Sequence, residues 1–287
     1  MQKHTVKQPC TLIDFLGSEY PQTSKTKLKK WIENGRVMVN DHPAGLYAHK
    51  LREGDLVQVT DGSSTSKSIP FDILYEDQHI IAIDKPAGIA TVATDNQPCI
   101  FRLISSLIKA EKGANKVFLV HRLDKEASGV LIFAKSRAAM EIIKDNWHKN
   151  DKKYLALVEG NIQPEQGTIR SYLREGALQM VYECKPGEEG KLAVTHFRLQ
   201  QTIGKYSLVE VSIETGRKHQ IRVHLSGIGF PIVGDTKYGK PDGFKRRLRL
   251  HAYWLTIEHP FSKETLTIQS KLPKGFTRVE PRNENYK

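Results

Sequence analysis

From residue 71 to residue 270 the chain repeats one pattern: short apolar runs rich in Val, Ile and Tyr, each closed by turn residues. FDILYED, HIIAIDK, VFLV, GVLIFAK, KKYLALVEG, TIRSYL, MVYEC, LAVTHFRLQ, YSLVEVSIE, LRLHAYWLTI and TLTIQS all read as strands. Helical spacing is rarer. It occurs at 98–111, where Ile100, Leu103, Ile104, Leu107 and Ile108 share a face, and again after Ser136, which caps a helix carrying Met140, Ile143 and Trp147. A third helix is expected at 216–226. Strands outnumber helices and several adjoin across short turns, which predicts an α+β fold with a mixed, mainly antiparallel sheet flanked by helices. Neither a G-x-G-x-x-G stretch nor a P-loop occurs, so no cradle for a nucleotide cofactor is visible and no cofactor is expected.

Ahead of these strands, residues 9–60 read as a smaller α/β unit. Thr11 caps a helix with Leu12, Phe15 and Leu16 on one face. Ser24 caps a second, with Leu28, Trp31 and Ile32 inward and Gly35 as its left-handed stop. RVMVN and LREGDLVQV supply strands. Lys25, Lys27, Lys29 and Lys30 crowd the second helix, and on charge alone they read as a solvated lysine face. The serine-rich 61–69 stretch is the expected linker, with a larger domain over 70–275.

With 44 Lys and Arg against 32 Asp and Glu, the chain carries a formal net charge of +12. Such a surplus favours a polyanionic partner, because neutralised phosphates release condensed counterions. Nucleic acid is the leading candidate. A membrane surface fits less well, since no apolar run approaches the ~20 residues of a spanning helix. MQKHTVKQPC offers no apolar stretch for secretion, so a cytoplasmic location is expected. Cys10, Cys99 and Cys184 are too far apart for a zinc knuckle, and His219 and His224 lie five residues apart where metal-binding helix histidines prefer four. No metal site is expected.

The densest chemistry lies in HRLDKEASG (121–129), between two buried runs. Loops held by rigid strands commonly carry catalytic groups. Taken alone, Asp124 beside Arg122 and Lys125 also reads as a turn-former in a weak surface ion pair. The wider sequence bears on that choice. HRLD followed by a polar stretch and SG, together with DKPAGI, KKYLALVEG, TGRKHQIRVHLSGIGFPIVGDTKYG and LRLHAYWLTIEHP in that order, resembles the RluA-type pseudouridine synthase family over most of residues 70–275. The front unit likewise resembles the αL RNA-binding module, whose basic second helix lies against RNA phosphates.

That resemblance implies an isomerase that breaks the bond between ribose C1′ and uracil N1, turns the base and rejoins it through C5. It implies Asp124 as the catalytic carboxylate, either attacking C1′ or removing the 2′ proton, with Arg222 as its paired guanidinium and Arg217 as the alternative partner. Tyr154 matches the family's active-site tyrosine, implied to stack on the target base, with assistance in removing the C5 proton as a second implied role. Arg122 matches the motif arginine that holds the flipped nucleotide's place or contacts phosphate, and His121 is expected to be structural or to face RNA. Arg217, His219 and Gln220 stand with Lys25, Lys27, Lys29 and Lys30 as substrate-binding residues. Ala127 replaces the family's usual threonine. Ribosomal RNA of the large subunit is the expected partner and a monomer the family's default. The competing readings are a transfer-RNA pseudouridine synthase, a non-catalytic RNA-binding or ribosome-assembly protein, and a metal-dependent RNA nuclease or hydrolase, which would need clustered carboxylates.

Overall fold

The computed structural model describes residues 2–33, 36–40, 42–44, 49–60, 69–93, 97–112, 116–239 and 247–278. Gly35 and the serine-rich stretch 61–68 lie outside them.

At the front, β1 (Gln2–Thr5), β6 (Leu56–Val59), β3 (Val37–Val39) and β4 (His42–Pro43) form a four-stranded sheet in that order, while β2 (Cys10–Thr11) pairs with β5 (Lys50–Leu51). The run LREGDLVQV is thus two strands, split by a turn in which Asp55 accepts the Arg52 N–H. Thr11 accepts the Asp14 N–H to cap α1 (Leu12–Glu19), and Ser24 accepts the Lys27 N–H at the start of α2 (Lys25–Glu33). Leu12, Phe15, Leu16, Leu28 and Ile32 are buried with Val37, Val39 and Val57. Trp31 is half-buried, its face covered by the Arg36 guanidinium at 4.7 Å. The four lysines of α2 are exposed.

The remaining strands are β7 (Ile73–Glu76), β8 (Ile80–Lys85), β9 (Phe118–Leu119), β10 (Ser128–Ala134), β11 (Asp151–Glu159), β12 (Gln166–Glu175), β13 (Val181–Cys184), β14 (Lys191–Ile203), β15 (Tyr206–Ile213), β16 (Leu250–Glu258) and β17 (Thr265–Gln269). They build one eleven-stranded sheet in the order β13-β12-β14-β15-β11-β16-β10-β8-β7, with β17 beside β16 and β9 beside β10. Pairing is antiparallel throughout the described ladder except between β10 and β16, which makes the sheet mixed.

Alternation along the strands sets the layers. Ile81 and Ile83 of β8 and Leu131 and Phe133 of β10 pack with Ile100, Ile104 and Ile108 of α3 (Ile100–Lys112). Their neighbours Ile80, Ala82, Val130 and Ile132 point the other way, toward Ala139 and Ile143 of α4 (Arg137–Asp145), a helix capped as expected by Ser136. Further along, Ala156, Val158, Val209 and Val211 receive Ile221 and Leu225 of α5 (Gln220–Gly227). Burying each such aliphatic side chain contributes roughly 1.5–3 kcal/mol, which holds the helices on the sheet. Tyr154 of β11 packs against both the α3 and the α5 clusters, at the seam between them.

Two expectations need correction. Trp147 is not in the helix that follows Ser136; α4 ends at Asp145, and Trp147 opens a separate 3-10 turn (Trp147–Lys149) whose indole stacks on His121 at 4.6 Å. The helix expected at 216–226 starts four residues late. Gln220 accepts the Thr215 hydroxyl and the Arg217 N–H, folding TGRKH into a turn, and His219 takes a left-handed φ of 53° that no helix continues.

Candidate active site

The loop between β9 and β10 carries HRLDKEASG, and its shape follows from its two ends. At the far end Gly129 has φ of 114°, and a Cβ there would lie 2.1 Å from the Ala252 carbonyl oxygen of β16. Only glycine allows β10 to leave the loop and meet β16 at that distance. Beneath the loop, Lys85 is fully buried at the end of β8, and its ammonium donates to the carbonyls of Pro86 (2.8 Å), Lys125 (3.2 Å) and Ala127 (2.8 Å). Desolvation, only partly opposed by the charges of Asp124 and Glu126, lowers its pKa to about 7. Sequence reading quoted Lys85 within DKPAGI without giving it a role; the available signal was a lysine closing a strand that opens on four buried apolar residues. The Ala127 methyl is buried in the apolar cluster with Ile221 and Leu250, so the loop is braced here through backbone carbonyls.

Held in this way, Asp124 keeps 23% of its side chain exposed and faces a cleft lined also by Arg122, Tyr154, His219 and Arg222. The cleft holds about 490 Å³ of empty space, counting the part open to solvent. Asp124 Oδ2 accepts from Arg222 Nη1 at 3.1 Å, and His219 Nε2 lies 3.9 Å from the same oxygen.

Arg222 is 2% exposed because α5 is buried on nearly all sides. Its other two donors, Nε and Nη2, each reach an oxygen of the 1%-exposed Asp235 at 2.8 Å, and Asp235 in turn accepts the Lys237 and Tyr238 N–H groups. Desolvation would depress the guanidinium's pKa, but the bonds and charge of Asp235, joined by Asp124, raise it; the same pairing overrides burial and holds Asp235 below its ordinary value. One buried cation therefore serves two carboxylates, through a fork whose planar geometry lysine lacks. Asp235 and Tyr238 are site residues that sequence reading missed, although both lie in the quoted GDTKYG stretch.

Tyr154 lines the cleft, and Tyr238 stands against His219, which lines it too. Desolvation first, then the nearby charge of Asp124, raises the Tyr154 phenol above its ordinary value, so it stays protonated. Tyr238 Oη lies 2.8 Å from His219 Nδ1 and accepts the Val181 N–H, and its ring lies against the Arg222 guanidinium. Burial, opposed by Asp124, keeps His219 below its usual pKa, hence neutral near pH 7.

Other expected residues are placed differently. Arg217 lines the cleft but donates from Nε to the Leu192 carbonyl; the guanidinium on Asp124 is that of Arg222. Gln220 also borders the cleft, yet its amide is fully engaged with Val194, Thr195, Thr215 and Arg217, so it shapes the turn. His121 accepts the Ile132 N–H at Nε2 and stacks on Trp147; desolvation lowers its pKa to about 3. Its ring is thus held by partners within the protein. Arg122 is exposed at the cleft's edge. Among the described residues, no cluster of three or more His, Cys, Asp or Glu could hold a metal ion, and no helix is long and apolar enough to cross a membrane.

A sheet-borne cleft with one carboxylate among cations suits chemistry on an anionic substrate, and comparison with known proteins narrows the class. A family model described as RNA pseudouridylate synthase matches residues 79–227. An uncharacterized RNA pseudouridine synthase of Bacillus subtilis, YhcT, is 36% identical over 90% of this chain and 88% of its own. Ribosomal large subunit pseudouridine synthase D of Xanthomonas campestris is 32% identical over 92% of this chain and 86% of its own. Among solved structures, human RNA pseudouridylate synthase domain containing 4 superimposes with a TM-score of 0.62 at 27% identity, covering 71% of this chain and 89% of that one. The chain belongs to the RluA-type RNA pseudouridine synthase family of isomerases.

Proposed function

We propose that this chain converts uridine to pseudouridine in large-subunit ribosomal RNA, with Asp124 as the catalytic carboxylate. The observation that carries the proposal is the pairing of Asp124, alone among carboxylates lining the cleft, with the buried Arg222. Relatives named ribosomal large subunit pseudouridine synthase D support the choice of RNA.

In the reaction the C1′–N1 bond breaks, the base turns, and C1′ bonds to C5, which gives up its proton while N1 gains one. Asp124 acts from beneath the sugar, by attack on C1′ or by removal of the 2′ proton, and each route starts from a carboxylate anion. Arg222 fixes its direction. Tyr154, whose phenol stays protonated, serves as a stacking face for the uracil and not as an ionised base for the C5 proton. Arg122 at the rim takes phosphate or the place of the everted nucleotide, and His219, neutral, borders the sugar. Residues 9–60 act as an RNA-docking module that positions residues 70–275, the catalytic domain. Everting a stacked uridine costs a few kcal/mol, supplied by phosphate contacts and by stacking in the pocket.

The test is to incubate the full-length protein with unmodified ribosomal RNA and map pseudouridine. Wild type is expected to modify a defined large-subunit position, and Asp124→Asn to bind the same RNA with product formation reduced below detection. Undiminished turnover by Asp124→Asn would remove Asp124 from the chemistry. Modification of transfer RNA alone would move the substrate.

A further inference from the structure

Where β12 turns back into β13, Leu178 leaves 91% of its surface in water, the most of any large hydrophobic residue described. Leu178 and Gln179 in succession have φ of 55° and 58°, a region that side-chain-bearing residues avoid. The tip is closed around them: Gly176 N–H donates to the Met180 carbonyl at 2.9 Å and Met180 N–H to that of Ala177 at 3.1 Å. Backbone geometry thus directs Leu178 outward. Beside it, the exposed Tyr182 ring lies over Gly176, where a Cβ would come within 2.8 Å of it, and stands opposite the exposed Arg174 in the ladder.

This tip is joined to the cleft wall. Val181 N–H donates to the Tyr238 hydroxyl that contacts His219, and Glu175 pairs with Lys218, the residue before His219. The hairpin's base therefore shares its anchor with a residue 3.9 Å from Asp124.

An enzyme acting on a uridine within folded RNA must stop the vacated stack from closing, and proteins that open base steps do so with inserted apolar side chains, leucine among them. We propose that the 176–182 tip is such a wedge: Leu178 packs against the base left uncovered beside the everted uridine, with Tyr182 and Arg174 meeting the adjacent base and its phosphate. The proposal rests on the isomerase reading above and adds that the target uridine lies in a structured, stacked segment of the RNA.

The experiment uses the full-length protein and two RNAs carrying the mapped uridine in the same local sequence, paired in a stem in one and unpaired in the other. The readout is the ratio of kcat/KM on paired over unpaired RNA. Leu178→Ser is expected to lower that ratio about tenfold, and Leu178→Met, which keeps an apolar side chain of similar volume, to restore it to within about twofold of wild type. In parallel, 2-aminopurine placed beside the target reports unstacking on binding to Asp124→Asn protein, a signal that adding Leu178→Ser should remove. An unchanged ratio and an unchanged fluorescence rise overturn the wedge. If wild type turns over neither RNA, the isomerase reading fails first and the wedge falls with it. Thermal melting of both variants should match wild type, since Leu178 makes so little buried contact.

Discussion

At the residue scale, the cleft turns on a division of labour within one guanidinium. Arg222 gives two of its donors to Asp235 and one to Asp124, so Asp235 aims the arginine that aims Asp124. A lysine supplies the charge without the fork, and cannot hold both carboxylates in those directions. Arg222→Lys is therefore expected to lower kcat roughly 100-fold or more while leaving RNA affinity near wild type, because what is lost is preorganisation at the reacting centre. Single-turnover rates at saturating enzyme, with filter binding alongside, measure the two separately. Asp124 and Arg222 were legible in HRLD and HQIRVH through family resemblance. Asp235 was not, for an aspartate in a G-D-T turn looks like an ordinary turn residue until the fold brings it under the α5 arginine.

At the scale of elements, the parallel contact between β10 and β16 is the joint on which the catalytic loop is mounted. Gly129 meets Ala252 there with no room for a side chain, and its φ of 114° is itself hostile to one. Gly129→Ala is expected to destabilise the protein by roughly 3 kcal/mol or more, through backbone strain and forced separation of the strands. Urea denaturation would show this as a lowered midpoint; a change under 1 kcal/mol would mean that the joint gives way easily. Strand order was not readable from apolar runs, because alternation says which face is buried and nothing about which neighbour a strand takes. The late start of α5 was likewise hidden: TGRKH is compatible with helix locally, and the Gln220 side chain selects a turn only once Val194 and Thr195 stand beside it.

Across the whole molecule, two consequences follow from where charge is and is not. His224 and His251 are fully buried between hydroxyl partners, and desolvation lowers each to about 4. Above pH 6.5 both are neutral in folded and unfolded chains alike. Below it the unfolded chain takes up protons that the folded chain refuses until about pH 4, so stability falls across that window, by on the order of 3 kcal/mol for each histidine. Melting temperature followed from pH 7 to pH 4 should drop accordingly, and His224→Gln should flatten the fall. On the surface, a net charge of +12 with four exposed lysines on α2 predicts strongly salt-dependent RNA binding. Replacing Lys25, Lys27, Lys29 and Lys30 by Gln should weaken affinity and reduce the slope of log K against log salt by about one for each lysine on a phosphate, with kcat at saturating RNA retained. A slope unchanged by the quadruple substitution would place the RNA elsewhere.

Taken by itself, the sequence determined the fold class, most strands and helices, the family, and the loop that carries Asp124. These follow from local periodicity, turn chemistry and long ordered motifs, all of which are written along the chain. Only the tertiary structure decided which arginine meets Asp124, that Lys85 braces the loop from below, that Gln220 and His121 are engaged by partners within the protein, and that Leu178 stands out from the tip between β12 and β13. Those are contacts between residues 11 to 98 positions apart, or exposures set by a whole sheet. No local pattern encodes them, because a side chain's partner is fixed by the packing of elements that are distant in sequence.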